Sequence, residues 1–196
     1  MKVKFCGIKR KEDIDICNEL KPDYIGFVFF DKSKRFIKPI DAKDLKEKLN
    51  KSILVVGVFV NEEIDKIVEI VNDEIIDLIQ LHGDEDDEYI LHLKEKTKAP
   101  IIKAFKIYSK NDIIEANESI ADYVLLDSGA GTGMTFDWEL IKNVKRDYFL
   151  AGGLNASNVE EAIEKLNPFA VDVSSGIEMD GVKDRNKMIS FIKKVR

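Results

Sequence analysis

The chain has 196 residues, 44% hydrophobic and 35% charged, with a formal net charge of −6. That is a folded globular composition, in keeping with one domain large enough to hold its own core. The negative balance, with Lys and Arg scattered along the chain, argues against nucleic-acid binding, which needs a concentrated basic face.

Short apolar runs alternate with charged amphipathic segments from end to end. The first run, Val3–Cys6, ends on a thiol and meets Gly7. A helical segment follows in which Ile14, Ile16, Cys17 and Leu20 supply the apolar side, making Cys17 a packing residue. The second run, Tyr24–Phe30, leads into the polar loop Asp31-Lys32-Ser33-Lys34-Arg35. The third, Ile53–Val60, ends at Asn61, the candidate cap of a helix with Glu62 and Glu63 in its first turn and Ile64, Ile67, Val68 and Val71 on one face. Ile75–Leu81 precedes His82-Gly83 and a charged helix carrying His92, a surface residue on this reading. Beyond Ile101–Phe105, the segment Ile107–Ala121 reads as a short or irregular helix. Tyr123–Asp127 closes on a carboxylate and opens into Ser128-Gly129-Ala130-Gly131-Thr132-Gly133. Tyr148–Ala151 ends at Gly152-Gly153, and Ser157 with Glu160 has the spacing of a capping box ahead of Val159, Ala162, Ile163 and Leu166. Phe169–Val173 ends at Ser174-Ser175-Gly176, and Met188, Ile189 and Ile192 line a last helix.

Continuous runs rich in Ile, Val and Phe suit parallel strands covered on both faces. Eight strand–helix units predict an α/β fold, a (β/α)8 TIM barrel formed as a single domain over residues 1–196. An open doubly wound sheet has the same alternation; the regular eightfold repeat and a polar cluster after nearly every strand favour the barrel. Chemistry in a barrel gathers at the C-terminal strand ends, and Cys6, Arg35, His82, Asp127, Gly152, Gly153, Ser174, Ser175 and Gly176 all follow strands. The N-terminal ends carry mainly generic charge. No apolar run approaches the ~20 residues that cross a bilayer, and no leader pattern opens the chain. A cytoplasmic protein without a membrane partner is expected.

Each candidate has a plainer alternative. Cys6 is either a base or nucleophile, given a cation to lower its usual thiol pKa of roughly 8.5, or a small core residue. Asp127 either takes part in proton transfer or caps the next turn, since a carboxylate ending an apolar run needs a partner. Gly152-Gly153 and Ser174-Ser175-Gly176, after strands seven and eight, either cradle a phosphate on backbone N–H groups or form ordinary tight turns. Arg35 either grips a carboxylate or belongs to a solvated basic loop. His82 is placed to line the mouth as a hydrogen-bonding group. Two cysteines and two isolated histidines make neither a disulfide framework nor a metal site. The glycine-rich stretch after Asp127 has neither dinucleotide-fingerprint spacing nor a P-loop lysine, and suits a lid over the mouth.

Taken in order, several blocks make the chain resemble the phosphoribosylanthranilate isomerase family. They are Lys4-Phe5-Cys6-Gly7-Ile8, Gly26-Phe27-Val28-Phe29 with Ser33-Lys34-Arg35, and Val56-Gly57-Val58-Phe59-Val60-Asn61. Gln80-Leu81-His82-Gly83, Leu125-Leu126-Asp127, and Gly131-Thr132-Gly133 with Phe136-Asp137-Trp138 continue the series. Gly152-Gly153-Leu154 and Val171-Asp172-Val173-Ser174-Ser175-Gly176 complete it.

The resemblance implies a TIM barrel acting on a small-molecule phosphosugar, by an Amadori rearrangement of the aminoaldose in tryptophan biosynthesis. It implies Cys6 as general base, Asp127 as general acid with a raised pKa, Arg35 on the substrate carboxylate, and the two glycine-bearing loops on the phosphate. It implies no metal and no cofactor, and either a monomer or a homodimer. The loop after Asp127 is shorter than in many members, which leaves lid closure open. Two other readings compete: a different barrel sugar-phosphate isomerase or lyase, which would use paired aspartates or Lys–Glu pairs, and a binding barrel without activity. Cys6 speaks against the first, and the intact set of Cys6, Asp127 and Arg35 against the second.

Overall fold

The computed structural model describes residues 1–127 and 138–196; the glycine-rich stretch 128–133 and the pair Phe136-Asp137 lie outside them. The strands are β1 (Lys2–Cys6), β2 (Tyr24–Val28), β3 (Leu54–Phe59), β4 (Leu78–Leu81), β5 (Ile101–Lys106), β6 (Tyr123–Asp127), β7 (Tyr148–Ala151) and β8 (Ala170–Val173). They pair in parallel in chain order, and β8 returns to β1, so the sheet closes into a barrel. The barrel expected from the eightfold alternation is the fold found, and the open sheet is not. The helices between strands are α1 (Lys11–Leu20), α2 (Pro39–Lys46), α3 (Ile64–Asn72), α4 (Asp87–Lys96), α5 (Lys110–Glu118), α6 (Trp138–Ile141) and α7 (Val159–Leu166), and α8 (Arg185–Val195) ends the chain. A two-stranded antiparallel hairpin, β9 (Glu178–Met179) with β10 (Val182–Lys183), is inserted between β8 and α8.

Alternation along each strand sorts side chains between two cores. Val3, Phe5, Ile25, Phe27, Phe59, Ile79 and Leu126 face the helices in the outer core. Tyr24, Val56, Leu78, Ile102, Leu125, Phe149 and Ala170 fill the barrel. Each fully buried Ile or Phe contributes about 1.5–3 kcal/mol. Aromatic rings plug the N-terminal end: Tyr24 lies 5.4 Å from Phe149 and Tyr123 lies 5.3 Å from Phe169. The ammonium of Lys2 sits 4.2 Å from the Phe169 ring centre, a cation–π contact across that plug. Filled below, the barrel can open to ligand only above.

The charge at the N-terminal strand ends is less generic than its composition suggests. Asp23, Asp77 and Asp122 each stand just before an even-numbered strand. They accept from the Val3, Val55 and Ile101 backbone N–H at 2.8, 2.7 and 2.8 Å. Each carboxylate is also paired with a cation, Arg196, Lys46 or Lys94. An aspartate thus satisfies an amide in the first two residues of the preceding odd-numbered strand three times around the barrel.

Three local expectations need correction. Segment 107–121 contains a regular helix, α5, whose Asp112 carboxylate accepts from the Tyr108 and Ser109 N–H groups at 2.8 and 2.7 Å. With few apolar positions beyond Ile113 and Ala116 buried, its periodicity is weak, but its cap is strong. Asn61 does not cap α3: it adopts a left-handed φ of 50°, and its Oδ1 accepts from the Asp84 N–H at 2.8 Å. Ser157 does not cap α7, because its hydroxyl donates to Asn155 Oδ1 and the helix begins after Asn158.

Candidate active site

Cys6 ends β1 with its side chain in the upper barrel, packed with Val28 and Val58 and 9% exposed. Two residues earlier, Lys4 points the same way. It is fully buried, and its Nζ donates to Asp172 Oδ1 at 2.9 Å; β1 and β8 pair Lys4 directly with Asp172. Burial pushes the Cys6 thiol up, the Lys4 ammonium draws it down, Asp172 raises it and Lys183 lowers it; the net shift is upward. Burial pulls the Lys4 pKa down, but Asp172 and Cys6 more than offset that, and Lys4 remains a cation. Cys17 is buried within α1, where desolvation also raises its thiol, as a packing residue requires.

Arg35 reaches back over the mouth and forks onto one carboxylate. Its Nε donates to Glu178 Oε1 at 2.7 Å and its Nη2 to Glu178 Oε2 at 2.8 Å, the paired geometry that suits guanidinium to carboxylate. Glu178 comes from the hairpin, where register sets it opposite Lys183; Lys183 Nζ donates to the same carboxylate at 2.7 Å and to the Ser174 carbonyl at 3.0 Å. Burial raises the Glu178 pKa, but hydrogen bonds from Arg35 and Lys183 bring it down to about 2. The unfolded value is about 4.3. A depressed carboxylate stabilises fully above its unfolded pKa, and that contribution is lost as pH falls toward the folded one. The pair should therefore contribute on the order of 2 kcal/mol that disappears between about pH 4 and pH 2. In Glu178→Gln the loss of stability on acidification, followed by denaturant unfolding, should be correspondingly smaller; an unchanged loss would show that the pair does not govern acid stability.

Across the barrel, Asp127 ends β6 and its Oδ2 lies 3.7 Å from His82 Nε2. The other ring nitrogen, Nδ1, is 2.9 Å from the Gln80 amide nitrogen. Nε2 is thus the ring nitrogen turned to Asp127. The loop after His82 is braced by a buried ion pair. Lys103 Nζ meets Glu85 Oε2 at 2.9 Å and the Gly83 carbonyl at 2.7 Å, and Glu85 accepts from the Asn61 and Gly83 N–H groups at 2.7 and 2.9 Å. A cleft of about 550 Å³ opens here, with His82, Lys106 and Asp127 on its wall. His92 is exposed on α4, as its charged surroundings suggest.

The loops after β7 and β8 lie together. Gly152 and Gly153 have φ of 93° and 62°, a turn that side chains with a Cβ enter at a cost. Gly176 sits against the Leu154 carbonyl so closely that a Cβ there would collide with it. Gly153 and Ser175 are exposed beside the half-buried Gly152, Ser174 and Gly176. Ser174 turns its hydroxyl inward, donating to the Cys6 carbonyl at 3.1 Å, and thereby ties the β8 loop to the end of β1. Ser175 and Gly176 open a three-residue 3-10 helix ahead of the hairpin. Among the described residues no cluster of His, Cys, Asp or Glu could hold a metal, and no helix is long and apolar enough to cross a membrane.

Glu178 and Lys183 lie outside the blocks that carry the resemblance, and Lys4, Gln80 and Asp172 lie within them without a site role attached. Lys4 and Asp172 carried a signal: each interrupts an apolar strand, in Val3-Lys4-Phe5 and Val171-Asp172-Val173. Two opposite charges buried in strands are tolerable when each is the other's partner.

Comparison with known proteins agrees with this geometry. Residues 3–194 match the family model for N-(5'phosphoribosyl)anthranilate (PRA) isomerase. An N-(5'-phosphoribosyl)anthranilate isomerase from Thermoanaerobacter sp. (strain X514) is 48% identical over 203 residues, covering 100% of this chain and 98% of the relative. The phosphoribosyl anthranilate isomerase structure from Thermotoga maritima superposes with a TM-score of 0.90 at 40% identity, covering 99% of this chain and 98% of that one. A phosphoribosyl anthranilate isomerase solved with reduced 1-(o-carboxyphenylamino)-1-deoxyribulose 5-phosphate gives 0.87 at 40% identity, covering 99% and 97%. With the matched segment running from β1 into α8 and identity this high over the whole barrel, the chain belongs to the N-(5'-phosphoribosyl)anthranilate isomerase family.

Proposed function

We propose that the protein converts N-(5'-phosphoribosyl)anthranilate to 1-(2-carboxyphenylamino)-1-deoxyribulose 5-phosphate, an Amadori rearrangement in tryptophan biosynthesis, and that Cys6 and Asp127 transfer the protons. The observation that carries this reading is the placing of a thiol on β1 and a carboxylate on β6 at the same open end of one barrel. A guanidinium already gripping a carboxylate stands beside the thiol's strand.

In this reading Asp127 gives its proton to the furanose ring oxygen, the C1–O bond breaks, and the nitrogen lone pair forms the iminium. The iminium makes the C2 proton acidic. Cys6 as thiolate removes it, and the resulting enol-amine gains a proton at C1 and loses one from the C2 hydroxyl to become the ketone. Cys6 then gives up its proton and Asp127 regains one. C1 is reduced as C2 is oxidised, so the rearrangement calls for no external oxidant or reductant. Because the Cys6 thiol is pushed up, the reactive thiolate fraction, and with it turnover, rises with pH.

Arg35 takes the anthranilate carboxylate, and the loops bearing Gly152-Gly153 and Ser174-Ser175-Gly176 take the phosphate on their backbone N–H groups. Two anchored anions fix C2 between base and acid. Only part of the Arg35 donor set is used by Glu178, so the fork is held in place and can still receive a ligand. A cytoplasmic location accompanies an enzyme of phosphorylated intermediates.

The test is the loss of anthranilate-type fluorescence when purified protein meets freshly prepared phosphoribosylanthranilate; unchanged fluorescence would refute the assignment. In the same assay Arg35→Ala should raise KM about 10- to 100-fold, the worth of one or two charge-assisted hydrogen bonds, with a smaller effect on kcat. An unaltered KM would remove Arg35 from carboxylate binding.

A further inference from the structure

Lys4 has no part in the proton transfers just described, yet it occupies the costliest kind of position in the barrel. Its ammonium is fully buried, and a buried ion pair is a poor source of stability compared with apolar side chains of the same volume. Lys4 and Cys6 are two residues apart on β1, so both enter the barrel on one face. They converge over Gly26 of β2: a Cβ there would lie 2.9 Å from Cys6 Sγ and 3.3 Å from Lys4 Nζ. Any larger residue at 26 would wedge between sulfur, ammonium and sheet. The Lys4 charge draws the Cys6 thiol down, and Asp172 holds the ammonium at 2.9 Å.

We propose that Lys4 is a positioning residue for the general base: its buried ammonium, anchored by Asp172 and given room by Gly26, stabilises Cys6 as a thiolate. The inference rests on the reading of Cys6 as base and supplies the charge that such a base needs in a buried site. Other charges face the sulfur. Asp172 on β8 opposes the thiolate, Lys183 on β10 favours it, and Arg35 feels it from the loop after β2. Lys183 and Arg35 are both engaged with Glu178, whereas Lys4 Nζ and the Cys6 sulfur flank the same glycine, Gly26.

Two variants and two readouts test it. The alkylation rate of Cys6 by iodoacetamide is followed against pH, with mass spectrometry distinguishing Cys6 from Cys17, and kcat is measured over the same pH range. Lys4→Met should move the thiol titration up by about one unit or more and lower kcat near neutrality about tenfold, with recovery as pH is raised. Lys4→Met leaves Asp172 buried without its cation and can fail to fold. The double variant Lys4→Met/Asp172→Asn removes both charges at nearly constant volume, and should move the thiol in the same direction by less. A Lys4 that only filled the barrel would leave the thiol titration of the folded double variant where it is in the wild type, and that result would overturn the inference. A shifted thiol with unchanged kcat would instead overturn the role of Cys6 as base.

Discussion

Cys6→Ala should lower kcat by about a thousandfold, within the range that a positioned general base contributes, while the barrel stays folded. The side chain lost is small and lies at the open end, its apolar cluster there being Val28, Val58 and the partly buried Phe30; deleting the sulfur should cost about 1 kcal/mol. KM should change little, because the groups assigned to the two substrate anions are elsewhere. Fluorescence-monitored turnover gives kcat, and a thermal melt gives stability. A variant that turns over at the wild-type rate would leave Cys6 as packing and return the base to some other group. Cys6→Ser is the informative companion, since it fills the same space with a hydroxyl that is far harder to deprotonate, and it should be nearly as inactive.

Asp127→Asn should lower kcat about 10²- to 10⁴-fold at nearly constant shape. The amide keeps a polar group opposite His82 Nε2, which lies 3.7 Å from the carboxylate in the wild type, so the mouth is preserved. What disappears is a proton that can be delivered to the ring oxygen as the C–O bond breaks. The deficit should persist across the pH range, unlike that of a variant which only alters the acid's pKa. Wild-type turnover in Asp127→Asn, measured in the same assay, would place the acid elsewhere on the mouth. His82, held by Gln80 at 2.9 Å, is the first group to examine in that case.

Much of the barrel was legible before any coordinates because its evidence is local. Eight runs such as Tyr123-Val124-Leu125-Leu126 are apolar at consecutive positions, and only strands covered on both faces use such runs. Boundaries were less legible: Ile75 and Ile76 are buried and apolar yet precede β4, which begins at Leu78, because burial alone does not make a residue part of the hydrogen-bonded ladder. Asn61 and Ser157 have side chains suited to capping, but each is taken by a loop partner instead. The side chains used there, Asn and Ser, bond equally well to a helix end or a turn.

Sequence by itself determined the fold class, the end of the barrel where chemistry gathers, and the thiol and carboxylate on their strand ends, since strand order and side-chain parity follow from pattern. Tertiary structure alone decided what surrounds them. Lys4 meets Asp172 across 168 residues of chain, and Arg35 meets Glu178 across 143; no local rule links positions so far apart. Only closure of β8 onto β1 brings those charges together, and inside a barrel with little water a neighbouring ammonium governs a thiol far more strongly than it would in solvent.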